Sequence, residues 1–266
     1  MSALFSRNSS KIRWLKLGNV VVPPLIGLFS ALVTTLADVE MFNFQSSTTN
    51  PLTPHPATFA IWGVVFVFLA LFVVYQLRTS AEEVVWAVNI WFSLSVVSAM
   101  LWYWCWSLRW VEASVLSMWL FLGTIAVSYY RLAINLQARS KLEFWSVSVG
   151  WSLYIGWVTV ATLVHTMTGL LELRLLENDL VRGMFLSLTL VLATVIYLGL
   201  LFYRNDPVVA LVGLWAFLGI LVNHMVGSTE DMLVIILSLS GLVALGVGQL
   251  FYLLKNRRST LHVSEH

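Results

Sequence analysis

Long apolar stretches alternate with short polar segments along the whole chain. About 20 mostly apolar residues cross the hydrocarbon core of a bilayer as a helix, so each stretch predicts a transmembrane span. Because no large polar domain interrupts the pattern, it predicts an all-α polytopic membrane bundle that forms one transmembrane domain over residues 1–266. The eight predicted spans are Leu17–Ala37, Ala57–Leu77, Val84–Trp106, Val111–Leu132, Phe144–Thr168, Val181–Tyr203, Pro207–Val226 and Asp231–Leu254.

Helix-start signals stand at four of the breaks between spans, independently of hydropathy. Ser and Glu at the ends of a four-residue segment form a capping box, and Asp before Pro caps a first turn. Acidic residues also favour the positive end of a helix. The signals are Ser80–Glu83, Ser140–Glu143, Asp206 with Pro207, and Ser228 or Thr229 followed by Glu230 and Asp231.

The basic residues are distributed unevenly between the two sides that eight spans define. Lysine and arginine concentrate in cytoplasmic segments, so the richer side predicts the cytoplasm and places both termini there. This distribution is typical of a bacterial inner membrane. Of the 15 lysines and arginines, the richer side holds Arg7, Lys11, Arg13, Lys16, Arg78, Arg131, Arg139, Lys141, Arg204, Lys255, Arg257 and Arg258, and the other side holds Arg109, Arg174 and Arg182.

Composition excludes several functional classes. Hydrophobic residues make up 59% of the chain and charged residues 11%, whereas soluble domains carry roughly 25% charged residues. The net charge of +2 gives no indication of nucleic-acid binding. No phosphate-binding glycine loop, HExxH or GxSxG motif is present, and every Asp and Glu maps to a loop or a helix end. The sequence therefore predicts no catalytic residues and disfavours an ion-coupled pump.

Neutral and aromatic side chains remain as candidates for binding. Asn89, Asn223 and Gln249 lie within spans, and His55, His165 and His224 lie near the outer ends of spans two, five and seven. These histidines either meet around an outer vestibule or simply bond to backbone and water. They show no metal-ligand spacing, so no metal site is predicted.

The 13 tryptophans make the chain tryptophan-rich and divide into two sets. An interfacial aromatic belt accounts for those near span ends. The deeper ones need a partner for the indole N–H and are better pocket candidates. The first set is Trp14, Trp86, Trp102, Trp104, Trp106, Trp110, Trp145 and Trp151, and the second is Trp62, Trp91, Trp119, Trp157 and Trp215.

Span five carries a distinctive stripe. Tyr154, Trp157, Ala161 and His165 follow a 3-4-4 spacing that places them on one helix face. Such a stripe suits a planar apolar ligand, and it equally suits a neighbouring helix packed against small residues.

Two further features concern packing and a loop. In span eight, Ser240, Ala244 and Gly248 are four residues apart and predict a helix-packing face.

The segment Asn50–Pro56 contains three of the six prolines, and it predicts either a stiff lid or a simple turn into span two.

Span five resembles the fifth helix of the TspO/MBR family of translocator and tryptophan-rich sensory proteins, whose pattern is PYLAWxxFAxxLN. The match holds at Tyr154, Trp157, Ala161 and Thr162, and it departs at Leu153 and His165, where the family has proline and asparagine. Pro54–Trp62 resembles the family's loop into helix two, Asn89 and Trp91 resemble its helix-three pair, and Phe59–Gly63 with Trp215–Ile220 resembles longer bacterial relatives.

This resemblance implies a five-helix core at 17–169, followed by three additional helices at 181–254. It also implies a pocket that binds tetrapyrroles or other planar apolar ligands, with no cofactor required beyond a bound porphyrin or haem. The expected partners are the lipid bilayer, the ligand and a second copy of the chain. The ligand-binding residues that it implies are Phe59, Trp62, Asn89, Tyr154, Trp157, Ala161 and His165.

The leading hypothesis is a non-enzymatic TspO-related protein that binds such a ligand for sensing or transport. Three alternatives stay open at this point. They are a small-solute transporter, an enzyme that uses His165 or His224 as acid or base on a lipid-soluble substrate, and a scaffold subunit of a membrane complex.

Overall fold

Helices make up nearly all of the described chain. A computed structural model describes residues 11–25, 50–78, 82–136, 139–226 and 231–263, with side chains through residue 255, and this part contains no strand. The predicted all-α class is confirmed. The helices are α1 (residues 11–25), α2 (Ile61–Gln76, preceded by a 3₁₀ helix at Pro56–Ala60), α3 (Glu82–Val88), α4 (Trp91–Ser107), α5 (Val111–Arg131), α6 (Lys141–Glu172), α7 (Asp179–Tyr203), α8 (Pro207–Val226) and α9 (Met232–Val263).

Six described helices are long and apolar enough to cross a membrane: α2 with its 3₁₀ turn, α5, α6, α7, α8 and the first part of α9. The pair α3 and α4 gives a seventh candidate span, bent by 42° where the two helices meet. The chain is therefore an integral, multi-pass helical membrane protein. Most of the predicted first span, Leu17–Ala37, lies outside the described residues.

Two predicted helix caps are confirmed. The hydroxyl of Ser140 accepts a hydrogen bond from the backbone N–H of Glu143 at 3.2 Å. The carboxylate of Asp206 accepts hydrogen bonds from the N–H groups of Val208 and Val209, both at 3.1 Å. These acceptors satisfy N–H groups that have no partner inside their own helix.

The cap of α9 differs from the prediction, and the cap of α7 was not predicted. Helix α9 begins at Met232, and the Asp231 carboxylate caps it by accepting from the N–H groups of Leu233 and Val234. Asn178 caps α7 through the N–H of Val181. The predicted cap residues Ser80, Ser228, Thr229 and Glu230 lie outside the described residues.

The chain divides into two compact units. The first unit comprises Met1–Ser47 and Val65–Val158, and the second comprises Thr48–Val64 and Thr159–His266. In the first unit, α4 packs along α5, and α3 also contacts α5. A close approach within this unit occurs at Gly150 of α6, where an added Cβ would lie 3.3 Å from the carbonyl oxygen of Phe68 on α2.

In the second unit, α7, α8 and α9 pack against one another. Glycines permit this contact, because added Cβ atoms would come within 2.8 Å of a neighbouring side chain. These close pairs are Gly213 with Tyr197, Gly241 with Phe217, and Gly248 with Leu198.

The predicted packing face of α9 is wrong in part. Ser240 is exposed, whereas the buried positions of this helix include Val234, Ser238, Gly241, Leu245 and Gly248. These positions alternate steps of four and three residues. Since an α-helix has 3.6 residues per turn, a run of four-residue steps drifts by about 40° per step and leaves the contact face.

Candidate functional site

Helix α6 carries four of the seven predicted ligand-binding residues. It is the most buried of the six candidate spans, with 83% of its most apolar stretch inside the protein. Tyr154, Trp157 and His165 are buried, and Ala161 is half-buried. Because α6 is buried on nearly every side, burial does not distinguish the predicted stripe from the rest of the helix.

Tyr154 lies among aromatic rings in the first unit. Its ring centroid is 5.7 Å from that of Phe121 and 6.0 Å from that of Trp151. Its hydroxyl is 3.3 Å from the hydroxyl of Ser95, within hydrogen-bonding distance. A polar group is thus placed inside an apolar, aromatic environment.

Trp151 has two further aromatic neighbours. Its ring meets Phe72 at 5.3 Å and Phe92 at 5.9 Å, both in edge-to-face geometry, and Phe72 meets Phe92 at 5.4 Å. Edge-to-face pairs add stabilisation beyond the area they bury. Phe72, Phe92, Phe121, Trp151 and Tyr154 are here named the aromatic cluster.

The assignment of Trp151 to an interfacial belt is wrong, since its side chain is fully buried. Helix α6 begins at Lys141, ten residues before Trp151. At a rise of 1.5 Å per residue, Trp151 is roughly 15 Å along the helix. The cap at Ser140 had marked this start, so the burial of Trp151 was missed because its partners, Phe72 and Phe92, lie on other helices.

Asn89 lies in the bend between α3 and α4. It is half-buried, with φ at 51°, and its backbone N–H bonds to the carbonyl of Val85 at 2.8 Å. Asparagine tolerates this left-handed conformation better than most residues. The residue therefore has a clear conformational role, and its predicted contact with a ligand stays a prediction.

A polar group that the sequence did not single out lies in the same unit. The side-chain N–H of Asn19 donates to the amide oxygen of Gln76 at 2.9 Å, and the Ser93 hydroxyl donates to the amide oxygen of Asn19 at 3.1 Å. Both amides are buried. Gln76 lies at the end of a predicted span, a position that ordinarily indicates an interfacial residue.

A charged pair lies near the start of α6. Arg139 forms an ion pair with Glu143, and its guanidinium also donates to the carbonyl of Leu132. The Arg139 side chain is only 6% exposed. The sequence had placed this arginine in a loop, and the contacts show that its charge is paired inside the protein.

In the second unit, the proline-rich segment is held against α6. The side-chain N–H of Asn50 donates to the carbonyl of Val164 at 3.0 Å and to the hydroxyl of Thr168 at 2.8 Å. The amide oxygen of Asn50 accepts from the N–H of Leu52 at 2.9 Å. One side chain thus fixes both the start of the segment and its position on the helix.

The same segment is also held against α8. The N–H of His55 donates to the carbonyl of Gly219 at 2.9 Å, and the Asn223 side chain donates to the carbonyl of Thr53 at 3.1 Å. Leu52 and Pro54 are buried. Any movement of this segment as a lid would have to break these bonds, and the lid role stays a prediction.

His224 and His55 bond to backbone groups. The Nε2 atom of His224 lies 2.7 Å from the carbonyl oxygen of Pro51, and its Nδ1 accepts from the N–H of Asp231 at 3.5 Å. Because a carbonyl only accepts, this arrangement requires the proton on Nε2. The Nδ1 atom of His55 accepts from the N–H of Ala57.

The remaining predicted residues of the second unit differ in exposure. Phe59 is 45% exposed, Trp62 is half-buried, and His165 is buried. Within the described part of the chain, no group of three or more His, Cys, Asp or Glu side chains could hold a metal ion.

The sequence profile of the family described as TSPO-like protein matches residues 19–251. The chain belongs to the TSPO-like family. In this TSPO-like protein the match runs from α1 into α9, so it includes the three helices after residue 169 as well as the predicted five-helix core. Searches of curated proteins and of solved structures find no match to it.

Proposed function

We propose that this TSPO-like membrane protein binds a planar apolar ligand, such as a tetrapyrrole, in a non-enzymatic sensing or transport role. The observation that carries the proposal is the burial of aromatic side chains along α6, the most buried of the candidate spans. Family membership supports a TspO-type protein.

The chemistry of the first unit suits such a ligand. Trp157 is 1% exposed, and Tyr154 belongs to the aromatic cluster. Aromatic rings bind a flat apolar molecule through dispersion and edge or face contacts, and the Tyr154 hydroxyl orients a polar substituent. In the second unit, contacts of Phe59, Trp62, Ala161 and His165 with a ligand stay predictions, as does that of Asn89 in the first.

The membrane setting is part of the proposal. The partners are the lipid bilayer, the apolar ligand and a second copy of the chain, with no nucleic acid involved. The distribution of lysine and arginine supports an orientation with both termini in the cytoplasm, as in a bacterial inner membrane. No cofactor is required beyond a bound porphyrin or haem.

Titration of the detergent-purified protein with protoporphyrin IX and with haem tests this function. Porphyrin absorption and tryptophan quenching are followed for the parent, for Trp157→Phe, for His165→Ala and for the double variant. Trp119→Phe is the matched control, because this indole is 45% exposed on α5. Saturable binding that weakens in Trp157→Phe and not in Trp119→Phe supports the proposal.

Binding that is absent, or equal in all variants, contradicts the proposed site on α6. Reconstitution into liposomes then separates the two roles. Movement of porphyrin into protein-containing vesicles, but not into empty ones, indicates transport. Saturable binding without movement indicates sensing.

A further inference from the structure

Ser148 is an exception among the helical serines and threonines. Others donate to a carbonyl four residues earlier, as Ser98 does to Leu94 at 2.8 Å and Thr194 to Leu190 at 2.9 Å. The hydroxyl of Ser148 is 1% exposed and has no hydrogen-bond partner among the described residues. It lies in the π-helical part of α6, at Phe144–Val149, and such π-helical turns often occur at functional sites.

Two more buried donors are unpaired nearby. The indole nitrogen of Trp151 and the side-chain nitrogen of Gln76 belong to side chains of 0% exposure, and neither has a partner in the described part of the chain. An unpaired buried polar group costs about 1–3 kcal/mol. Three such groups on two neighbouring helices call for an explanation.

The three groups lie on two helices, α2 and α6, that pack against each other. Trp151 is three residues after Ser148 on α6, and its ring contacts Phe72 on α2 at 5.3 Å. Gln76 is four residues after Phe72, so both point from the same face of α2. The two helices also meet at Phe68 of α2 and Trp145 of α6, whose ring centroids are 6.3 Å apart.

The unpaired groups are donors. An indole nitrogen can only donate. The donor character of the Trp151 group therefore does not depend on which way the amides of Asn19 and Gln76 are turned. The oxygens of Asn19 and Gln76 already accept hydrogen bonds. The charge of the nearby Arg139 guanidinium is paired with Glu143, and its buried Nε has no partner among the described residues. A carboxylate is costly to bury unless a positive charge is available to pair with it. Because these donors are neutral, they suit a neutral oxygen acceptor better than a carboxylate.

We propose that Gln76, Ser148 and Trp151 bind a neutral carbonyl oxygen of an apolar ligand, whose rings lie against the aromatic cluster. The inference rests on the proposed function, because it names the polar group of the planar ligand that the first unit takes. It adds a polar contact that the family resemblance does not supply. The amide of Asn19 holds Gln76 in position for this contact.

Three probes of matched shape test the proposal on the full-length protein. Fluorenone carries a neutral carbonyl, fluorene lacks it, and fluorene carboxylate carries a charge. Fluorenone is expected to bind saturably and about tenfold more tightly than fluorene, as one or two hydrogen bonds imply. Its carbonyl stretch is expected to move to lower wavenumber. The indole N–H signal of Trp151, assigned with Trp151→Phe, is expected to shift on binding.

Ser148→Ala keeps the test independent of folding. Because this hydroxyl is unpaired, its removal is expected to leave the thermal midpoint unchanged or higher while weakening fluorenone binding about fivefold. Ser238→Ala is the control. Ser238 is also fully buried and unpaired among the described residues, but it belongs to the second unit. This variant is expected to bind fluorenone like the parent.

Equal affinity for fluorenone and fluorene, an unmoved Trp151 signal, tighter binding of the carboxylate, or full binding by Ser148→Ala each overturns the carbonyl site. The porphyrin titration separates this failure from failure of the proposed function. If porphyrin binding still depends on Trp157, planar-ligand binding stands without the carbonyl site. If fluorenone binds as expected and porphyrin does not, the carbonyl site is supported and the tetrapyrrole is the wrong ligand.

Discussion

The indole N–H of Trp215 on α8 donates a hydrogen bond to the backbone carbonyl of Thr58, 2.9 Å away in the 3₁₀ turn before α2. Trp215 begins the segment Trp215–Ile220, and Thr58 directly precedes the segment Phe59–Gly63. The bond therefore connects two segments that resemble longer bacterial relatives and lie far apart in the sequence. Within the second unit, α8 therefore holds the proline-rich segment in place. This gives one of the three later helices a structural role that the sequence did not reveal.

Removing the indole donor should weaken this attachment. In Trp215→Phe the Thr58 carbonyl loses the indole donor and keeps the backbone N–H of Ile61, while an aromatic ring is retained, so we expect a loss of about 1 kcal/mol. For a chain of this size that is roughly 2–4 °C in Tm. Thermal unfolding in detergent measures it. Trp110→Phe is the control, because that indole is 59% exposed, and equal shifts in both variants would show that the hydrogen bond contributes nothing.

Gly219 should tolerate no side chain. An added Cβ would lie 2.2 Å from the hydroxyl oxygen of Thr58, so Gly219→Ala must displace the segment. Overpacking of this kind typically costs about 1–3 kcal/mol. Gly199→Ala, with nothing within 4 Å of the added methyl, is the matched control and should unfold at or above the parent temperature.

A second substitution tests whether the clash with Thr58 causes the loss of stability in Gly219→Ala. Thr58→Ala removes the two closest of the three Thr58 atoms that crowd Gly219. The double variant with Gly219→Ala should therefore recover part of the lost stability. If it is no more stable than Gly219→Ala alone, the clash with Thr58 is not the reason for the loss.

Hydropathy and capping chemistry predicted most of the fold. A long apolar run in lipid has no alternative to a helix, and Ser140 and Asp206 cap their helices through contacts within three residues. The bend at Asn89 was not predicted, because a left-handed residue inside an apolar run leaves no hydropathy signal. The division at residue 169 into a core and later helices stays a prediction.

The candidate site was less accessible to sequence reasoning. The spacing of Tyr154 and Trp157 indicated a stripe on α6, because residues that share one face of a helix can be predicted from their spacing alone. Gln76 was not singled out because its partner, Asn19, is 57 residues away in the chain. Trp151 was misplaced for the same reason, since its burial depends on Phe72 and Phe92 of other helices.

We expect the cap of α8 to depend on the acceptor oxygen of Asp206 more than on its charge. Asp206 is fully buried and accepts from two backbone N–H groups. Asp206→Ala is expected to cost about 0.5–2 kcal/mol, as for other N-cap residues. Asp206→Asn keeps the acceptor and should retain most of the stability in thermal unfolding. If Asn is as destabilising as Ala, the negative charge at the helix end is the stabilising feature.

The orientation predicted from the basic residues can be tested by cysteine labelling. Cys105 is buried, so a Cys105→Ser background gives a protein without a reactive thiol. Glu177→Cys and Lys255→Cys then place single thiols at exposed positions, with α7, α8 and the apolar part of α9 between them along the chain. Three crossings separate the two positions, so they must lie on opposite sides of the membrane.

A membrane-impermeant maleimide added to intact cells should label Glu177→Cys, and it should label Lys255→Cys only after permeabilisation. This result follows if lysine and arginine mark the cytoplasmic side. The reverse pattern would place the C-terminal end of α9 outside and contradict the predicted orientation. Labelling of both positions in intact cells would mean that one of the three later helices does not cross the bilayer, although all three are long and apolar enough to do so.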